Sequence, residues 1–115
     1  DLMLDLATKK DHLDLVDDEI ASPTYAPDLA VATRRIVETM PPGLYHAANS
    51  GKCSWEELAR EAFRLKNITI DVTPVPGSNF PRPARRPHDA SLISKILPPQ
   101  RSWQDALEAS IHASP

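Results

Sequence analysis

The chain has 115 residues, of which 41% are hydrophobic and 25% charged, a size that suits one small domain burying roughly two-thirds of its unfolded surface. Its 13 basic and 16 acidic residues leave a net charge of -3, which excludes a global field that would recruit nucleic acid or an anionic membrane. The single cysteine, Cys53, excludes an intrachain disulfide, no zinc-type Cys/His spacing is present, and a reducing cytoplasm is the expected setting. No apolar run approaches the roughly 20 residues of a membrane span, and the start Asp1-Leu2-Met3-Leu4-Asp5 has no basic signal region.

In chain order, Leu2, Met3, Leu6 and Ala7 recur at helical spacing, and the absence of an initiator methionine suggests a helix entered partway, in a piece of a longer protein. His12-Leu13-Asp14-Leu15-Val16 alternates as a strand with one buried face does. The acidic turn Asp17-Asp18-Glu19 follows. Three consecutive carboxylates could supply hard oxygen ligands to a metal, but consecutive side chains of an extended segment diverge, which favours a solvated turn.

Pro27 fits a first helical turn, Asp28 suits the positive end of a helix dipole, and Leu29, Ile36, Val37 and Met40 share a face, predicting a helix from about 26 to 40. Pro41-Pro42-Gly43 ends it, and Leu44-Tyr45-His46-Ala47-Ala48 reads as a short buried strand, with His46 a hydrogen-bonded core residue rather than a base. Ser54-Trp55-Glu56-Glu57 is a capping-box pattern. Trp55, Leu58, Ala59, Ala62 and Phe63 then predict one buried face over residues 55 to 66. Cys53, just before that helix, has no partner residue in sequence and reads as inert.

Ile68, Ile70 and Val72 alternate with polar residues as a third strand that Pro74 and Pro76 terminate. Prolines at 74, 76, 81, 83 and 87 stiffen a loop over residues 74 to 87. Arg82, Arg85 and Arg86 lie within it. Guanidinium groups on a stiffened loop suit a diphosphate; the alternative is a surface patch pairing with Asp89 or with the acidic turn. A last helix runs from Ser102 or Trp103 to about His112, with Trp103, Ala106, Leu107 and Ile111 inward.

The order of these motifs carries a resemblance. Asp18-Glu19-Ile20-Ala21-Ser22-Pro23-Thr24, then Asp28-Leu29-Ala30, Gly43-Leu44-Tyr45-His46, Cys53 to Ala59 and Arg86-Pro87-His88-Asp89-Ala90-Ser91-Leu92 resemble the C-terminal part of the dTDP-4-dehydrorhamnose reductases, which are extended short-chain dehydrogenase/reductases. Ala21, Glu19 and Ala90 depart from the glycine, glutamine and serine frequent at those positions. The resemblance implies an α/β fold: the C-terminal portion of a Rossmann-type enzyme, with about four helices and three short strands. It makes 1–115 a single segment, mostly substrate-binding lobe, in which 26–48 packs on an upstream cofactor-binding lobe.

The implied reaction is NADPH-dependent reduction of dTDP-4-dehydro-6-deoxy-L-mannose to dTDP-L-rhamnose, with a dTDP-sugar as partner, neither nucleic acid nor membrane, and a homodimeric parent among the expectations. The family's Gly-rich loop and Tyr-x-x-x-Lys pair are absent from this sequence, so the segment alone is expected to be inactive. No catalytic residue is carried over. Arg86 is the first expected substrate contact, because it holds the Arg-Pro position of the family pattern, with Arg82 and Arg85 behind it. Two alternatives keep the fold: a non-catalytic regulatory relative like the beta subunit of methionine adenosyltransferase, and another nucleotide-sugar epimerase or dehydratase.

Overall fold

The computed structural model describes residues 2–113. Four helices and four short strands follow in the order α1 (Leu2–Lys9), β1 (His12–Val16), β2 (Ile20–Ala21), α2 (Ala26–Thr39), β3 (Cys53–Ser54), α3 (Trp55–Leu65), β4 (Asp71–Val75) and α4 (Trp103–Ala113). They form two compact units, Asp1–Ala21 with Cys53–Ala90 and Ser22–Lys52 with Ser91–Pro115. The fold is α/β, as the resemblance implies.

In the first unit β1 and β4 pair in parallel, His12 opposite Asp71 and Val16 opposite Val75. A parallel pair needs a long crossover connection, and α3 lies within it. Alternation along β1 turns Leu13 and Leu15 to one side, where they join Ala59 and Phe63 of α3 in a buried cluster. Met3, Leu4, Leu6 and Ala7 of α1 pack against that cluster. His12 and Asp14 remain exposed. The short antiparallel pair of β2 and β3 sets Ile20 opposite Ser54 and Ala21 opposite Cys53.

Both ends of α3 are built from its own sequence. Glu57 N–H donates to Ser54 Oγ at 3.1 Å, and Ser54 N–H donates to Glu57 Oε2 at 2.7 Å, completing the capping box. At the other end Asn67 takes a φ of 54°, a conformation asparagine tolerates better than most residues. There Ile68 N–H donates to Phe63 O at 2.9 Å and Asn67 N–H to Arg64 O at 3.2 Å. This pair of bonds is a Schellman motif, which satisfies carbonyls that a helix end leaves open.

That motif moves the last strand. The alternation placed it at 68–73, whereas β4 runs over Asp71–Val75 with Pro74 inside it. The turn occupies Lys66 and Asn67, and pairing begins only where Asp71 N–H reaches Asp11 O. Asp71 and Val75 bond toward β1, so alternation turns the nitrogen of Pro74 to the open edge, where a missing donor costs nothing.

Three other expectations fail. Residues 44–48 form no strand, and Leu44 is 82% exposed; among the described residues the ladders join β1 to β4 and β2 to β3, leaving this run unpaired. His46 is therefore exposed rather than a core residue. Trp55 is 46% exposed although Ala59, Ala62 and Phe63 on its predicted face are buried. It sits in the first turn of α3 and lines a surface groove instead.

The second unit contains α2, the residues up to Lys52, and α4. Pro27 occupies the first turn of α2, but no residue of the helix is buried. Its predicted face forms without being covered: Leu29 and Val37 are exposed, Ile36 and Met40 half-buried. Leu97, Trp103, Ala106 and Ile111 supply buried apolar side chains, and Leu107 is half-buried. Among the described residues no helix is long and apolar enough to cross a membrane.

Candidate functional site

The proline-rich loop is pinned at both ends to the acidic turn. After β4 the chain makes a short 3-10 turn at Gly77–Asn79, and Gly77 N–H donates to Asp18 Oδ1 at 2.7 Å. At the far end Ile20 N–H donates to His88 O at 2.7 Å and Ala90 N–H to Ile20 O at 2.9 Å. The His88 ring nitrogen Nδ1 lies 3.2 Å from Asp18 O. Residues 80–90 are exposed, yet the loop is held at both ends by bonds that bridge 59 to 70 positions of sequence.

Between these anchors lies a cleft of about 240 Å³, lined by Asp18, Glu19, Gly77, Arg82, Arg85, Arg86 and neighbouring loop residues. All three expected arginines come to it. Their circumstances differ: Arg82 Nη1 pairs with Glu19 Oε2 at 3.2 Å, while Arg85 and Arg86 form no ion pair among the described residues. The pairing with the acidic turn is thus realised for Arg82. The turn is also less solvated than expected, since Asp18 and Glu19 are half-buried and each is committed to a donor on the loop. Among the described residues no group of His, Cys, Asp and Glu could hold a metal ion.

A larger groove of about 770 Å³ adjoins this cleft. Leu2, Met3, Val16, Trp55 and Phe80 are among its walls, and Phe80 and Arg82 line both spaces. It presents aromatic and aliphatic surface beside an arginine, and includes Trp55, for which helical spacing alone predicts a buried position.

The second unit holds a polar constellation that sequence reasoning missed. Asn49, 1% exposed, accepts from Tyr25 N–H at 2.8 Å and donates to Asp28 Oδ2 at 2.7 Å, while its own N–H reaches Thr24 Oγ1 at 3.2 Å. Asp28 also takes a two-pronged bond from Arg101, whose guanidinium lies 5.6 Å from the centre of the Tyr25 ring. Hydrogen bonding from Arg101 holds the Asp28 carboxyl below its usual range. The side chains of Thr24, Asp28, Asn49 and Arg101 are hydrogen-bonded within the protein, so the cluster organises the entry to α2. No local pattern around Asn49 signals it, because its partners are distant in sequence.

Cys53 is buried, and burial, with the nearby Glu57 charge, pushes its thiol up to about 11. Such a thiol carries little thiolate near neutrality and is a poor nucleophile.

Comparison with known proteins agrees with the motif order. Residues 1–114 match the family model described as the RmlD substrate binding domain. The spore coat polysaccharide biosynthesis protein SpsK of Bacillus subtilis strain 168 is 40% identical over 109 residues, covering 91% of this chain and 38% of the relative. A dTDP-4-dehydrorhamnose reductase of Mycolicibacterium smegmatis is 36% identical over 115 residues, covering 94% of this chain and 35% of its own length. A solved dTDP-4-dehydrorhamnose reductase from Bacillus anthracis, in complex with NADP, superposes with a TM-score of 0.92 at 30% identity over 98% of this chain and 42% of that one. The chain thus spans less than half the length of the relatives it matches. With nearly every residue inside the match, the chain belongs to the family of RmlD substrate-binding domains.

Proposed function

We propose that this chain is the nucleotide-sugar-binding part of an NADPH-dependent reductase that converts dTDP-4-dehydro-6-deoxy-L-mannose to dTDP-L-rhamnose. The observation that carries the reading is the convergence of Arg82, Arg85 and Arg86 on one cleft of an anchored loop. Guanidinium forks match the paired oxygens of a diphosphate, and anchoring lowers the entropy lost when the loop receives an anion. Arg86 is the principal contact. The groove that shares Phe80 and Arg82 with the cleft offers aromatic surface to the nucleoside.

The residues of this chain do not fit the cofactor. Its glycines stand apart at positions 43, 51 and 77, and Leu29 and Asn49, not lysine, lie four residues after Tyr25 and Tyr45. They supply no dinucleotide cradle of the Gly-x-Gly-x-x-Gly type. NADPH and the proton donor accordingly belong to the rest of the parent enzyme, and the share of this chain is to bind and orient the sugar nucleotide. The exposed apolar face of α2 suits packing of residues 26–48 against that other part. A cytoplasmic enzyme, with a homodimeric parent, completes the reading.

The test is an NADPH-oxidation assay with the keto-sugar, using this chain alone and joined to its cofactor-binding part. Turnover is expected only from the joined protein. Turnover by the isolated chain refutes the division of labour.

A further inference from the structure

We propose that Glu19 is a specificity-determining residue of the arginine cleft, a built-in counter-charge that occupies Arg82 and biases the cleft toward modestly charged diphosphates over more highly charged polyphosphates. The inference rests on the cleft being a diphosphate site and assigns a role within it.

Three observations converge. The Glu19 carboxylate meets Arg82 at 3.2 Å, with the glutamate side chain 16% exposed and the arginine side chain 35% exposed, so the pair lies at the cleft wall rather than in free solvent. A Cβ built on Gly77 would come 2.5 Å from Glu19 Oε1; the missing side chain there is what makes room for the carboxylate. Asp18, next to it, is bonded to the Gly77 amide, so the turn that carries Glu19 is fixed against the loop that carries Arg82.

The consequences follow from charge and geometry. A ligand phosphate can recruit Arg82 only in competition with Glu19, whereas Arg85 and Arg86 have no such competitor among the described residues. The fixed negative charge also repels each further phosphate, and the repulsion grows with ligand charge. Specificity of this kind comes from a repulsive element built beside an attractive one.

The experiment compares Glu19→Gln with the unaltered chain by calorimetric titration with inorganic pyrophosphate and inorganic tripolyphosphate, folding being checked by circular dichroism. Glutamine keeps the shape and removes the charge. Pyrophosphate is expected to bind about 3- to 5-fold more tightly to the variant, the scale of a partly exposed ion pair, and tripolyphosphate is expected to gain more. No gain, or an equal gain for both, overturns the proposal. Arg82→Gln supplies a second readout that does not depend on that variant: the loss should be small beside that of Arg86→Ala, because Arg82 is already occupied. An equal loss overturns the inference. If Arg86→Ala leaves pyrophosphate binding unchanged, the diphosphate reading of the cleft fails instead.

Discussion

Asp28 and Arg101, 73 residues apart in sequence, meet through two bonds, Nε to Oδ2 at 2.8 Å and Nη2 to Oδ1 at 2.7 Å. The pair ties the first turn of α2 to the segment that leads into α4, and the same carboxylate receives the buried amide of Asn49. Lysine cannot reproduce that planar fork. Arg101→Lys is therefore expected to lower the thermal unfolding midpoint despite conserving charge; an unchanged midpoint would make the pair ornamental to stability.

The pH dependence of this contact has a definite sign. Asp28 is held below its ordinary value, first by its hydrogen bond to Arg101, so its contribution to stability is complete above the unfolded carboxyl value and disappears as pH falls through the folded one. Asp28→Asn should flatten that acid limb of stability against pH. Parallel acid limbs in the two proteins would refute the assignment.

His12 works in the opposite direction. Its ring lies 2.9 Å from Asp14 Oδ1 and 3.0 Å from Asp71 Oδ2, and these hydrogen bonds, Asp14 first, raise its value above the ordinary histidine range. The stability it contributes is present below the unfolded histidine value and is lost as pH rises through the folded one. NMR titration of the ring should place its midpoint above that of a free histidine, and His12→Gln should remove the corresponding limb.

Arg86→Ala is expected to weaken nucleotide-sugar binding by about 1.5 to 3 kcal/mol in the complete protein, the range for loss of a charge-assisted hydrogen bond. Calorimetric titration measures it. An unaltered affinity removes Arg86 from the site.

Ser54→Ala should cost about 1 kcal/mol of stability, because Glu57 N–H at the start of α3 loses its acceptor. Urea denaturation with an unchanged slope would attribute the change to stability itself.

Gly51 has a φ of 90°, and a Cβ there would approach Trp103 Cδ1 to 3.0 Å. Gly51→Ala combines strained backbone with crowding of a buried indole, and is expected to cost more than about 1 kcal/mol. Near-ultraviolet dichroism of the tryptophans should change with it; full stability and an unaltered spectrum would show that the turn can relax.

How much was legible follows the range of the interactions. Ser54 and Glu57 make both bonds of their capping box within four residues, so α3 could be located from its own letters. Pro27 marked the first turn of α2 in the same way. Residues 44–48 misled because an apolar run becomes a strand only beside a partner strand. Trp55 obeyed the helical period that predicts burial, but its place in the first turn set it on a groove. Asn49 was unreadable because its partners lie 21 to 52 residues away.

By itself, then, the sequence determined the helix starts and the concentration of arginine in a stiff loop, since periodicity, capping and proline act over a few neighbouring residues, while its motif order carried the resemblance that implied the α/β class. The tertiary structure decided which charges meet. It brought Glu19 to Arg82 across 63 residues and Asp28 to Arg101 across 73, and left Arg85 and Arg86 without an ion pair among the described residues. An ion pair needs its two groups within about 4 Å, and for residues this far apart that distance is set by the fold of the chain between them.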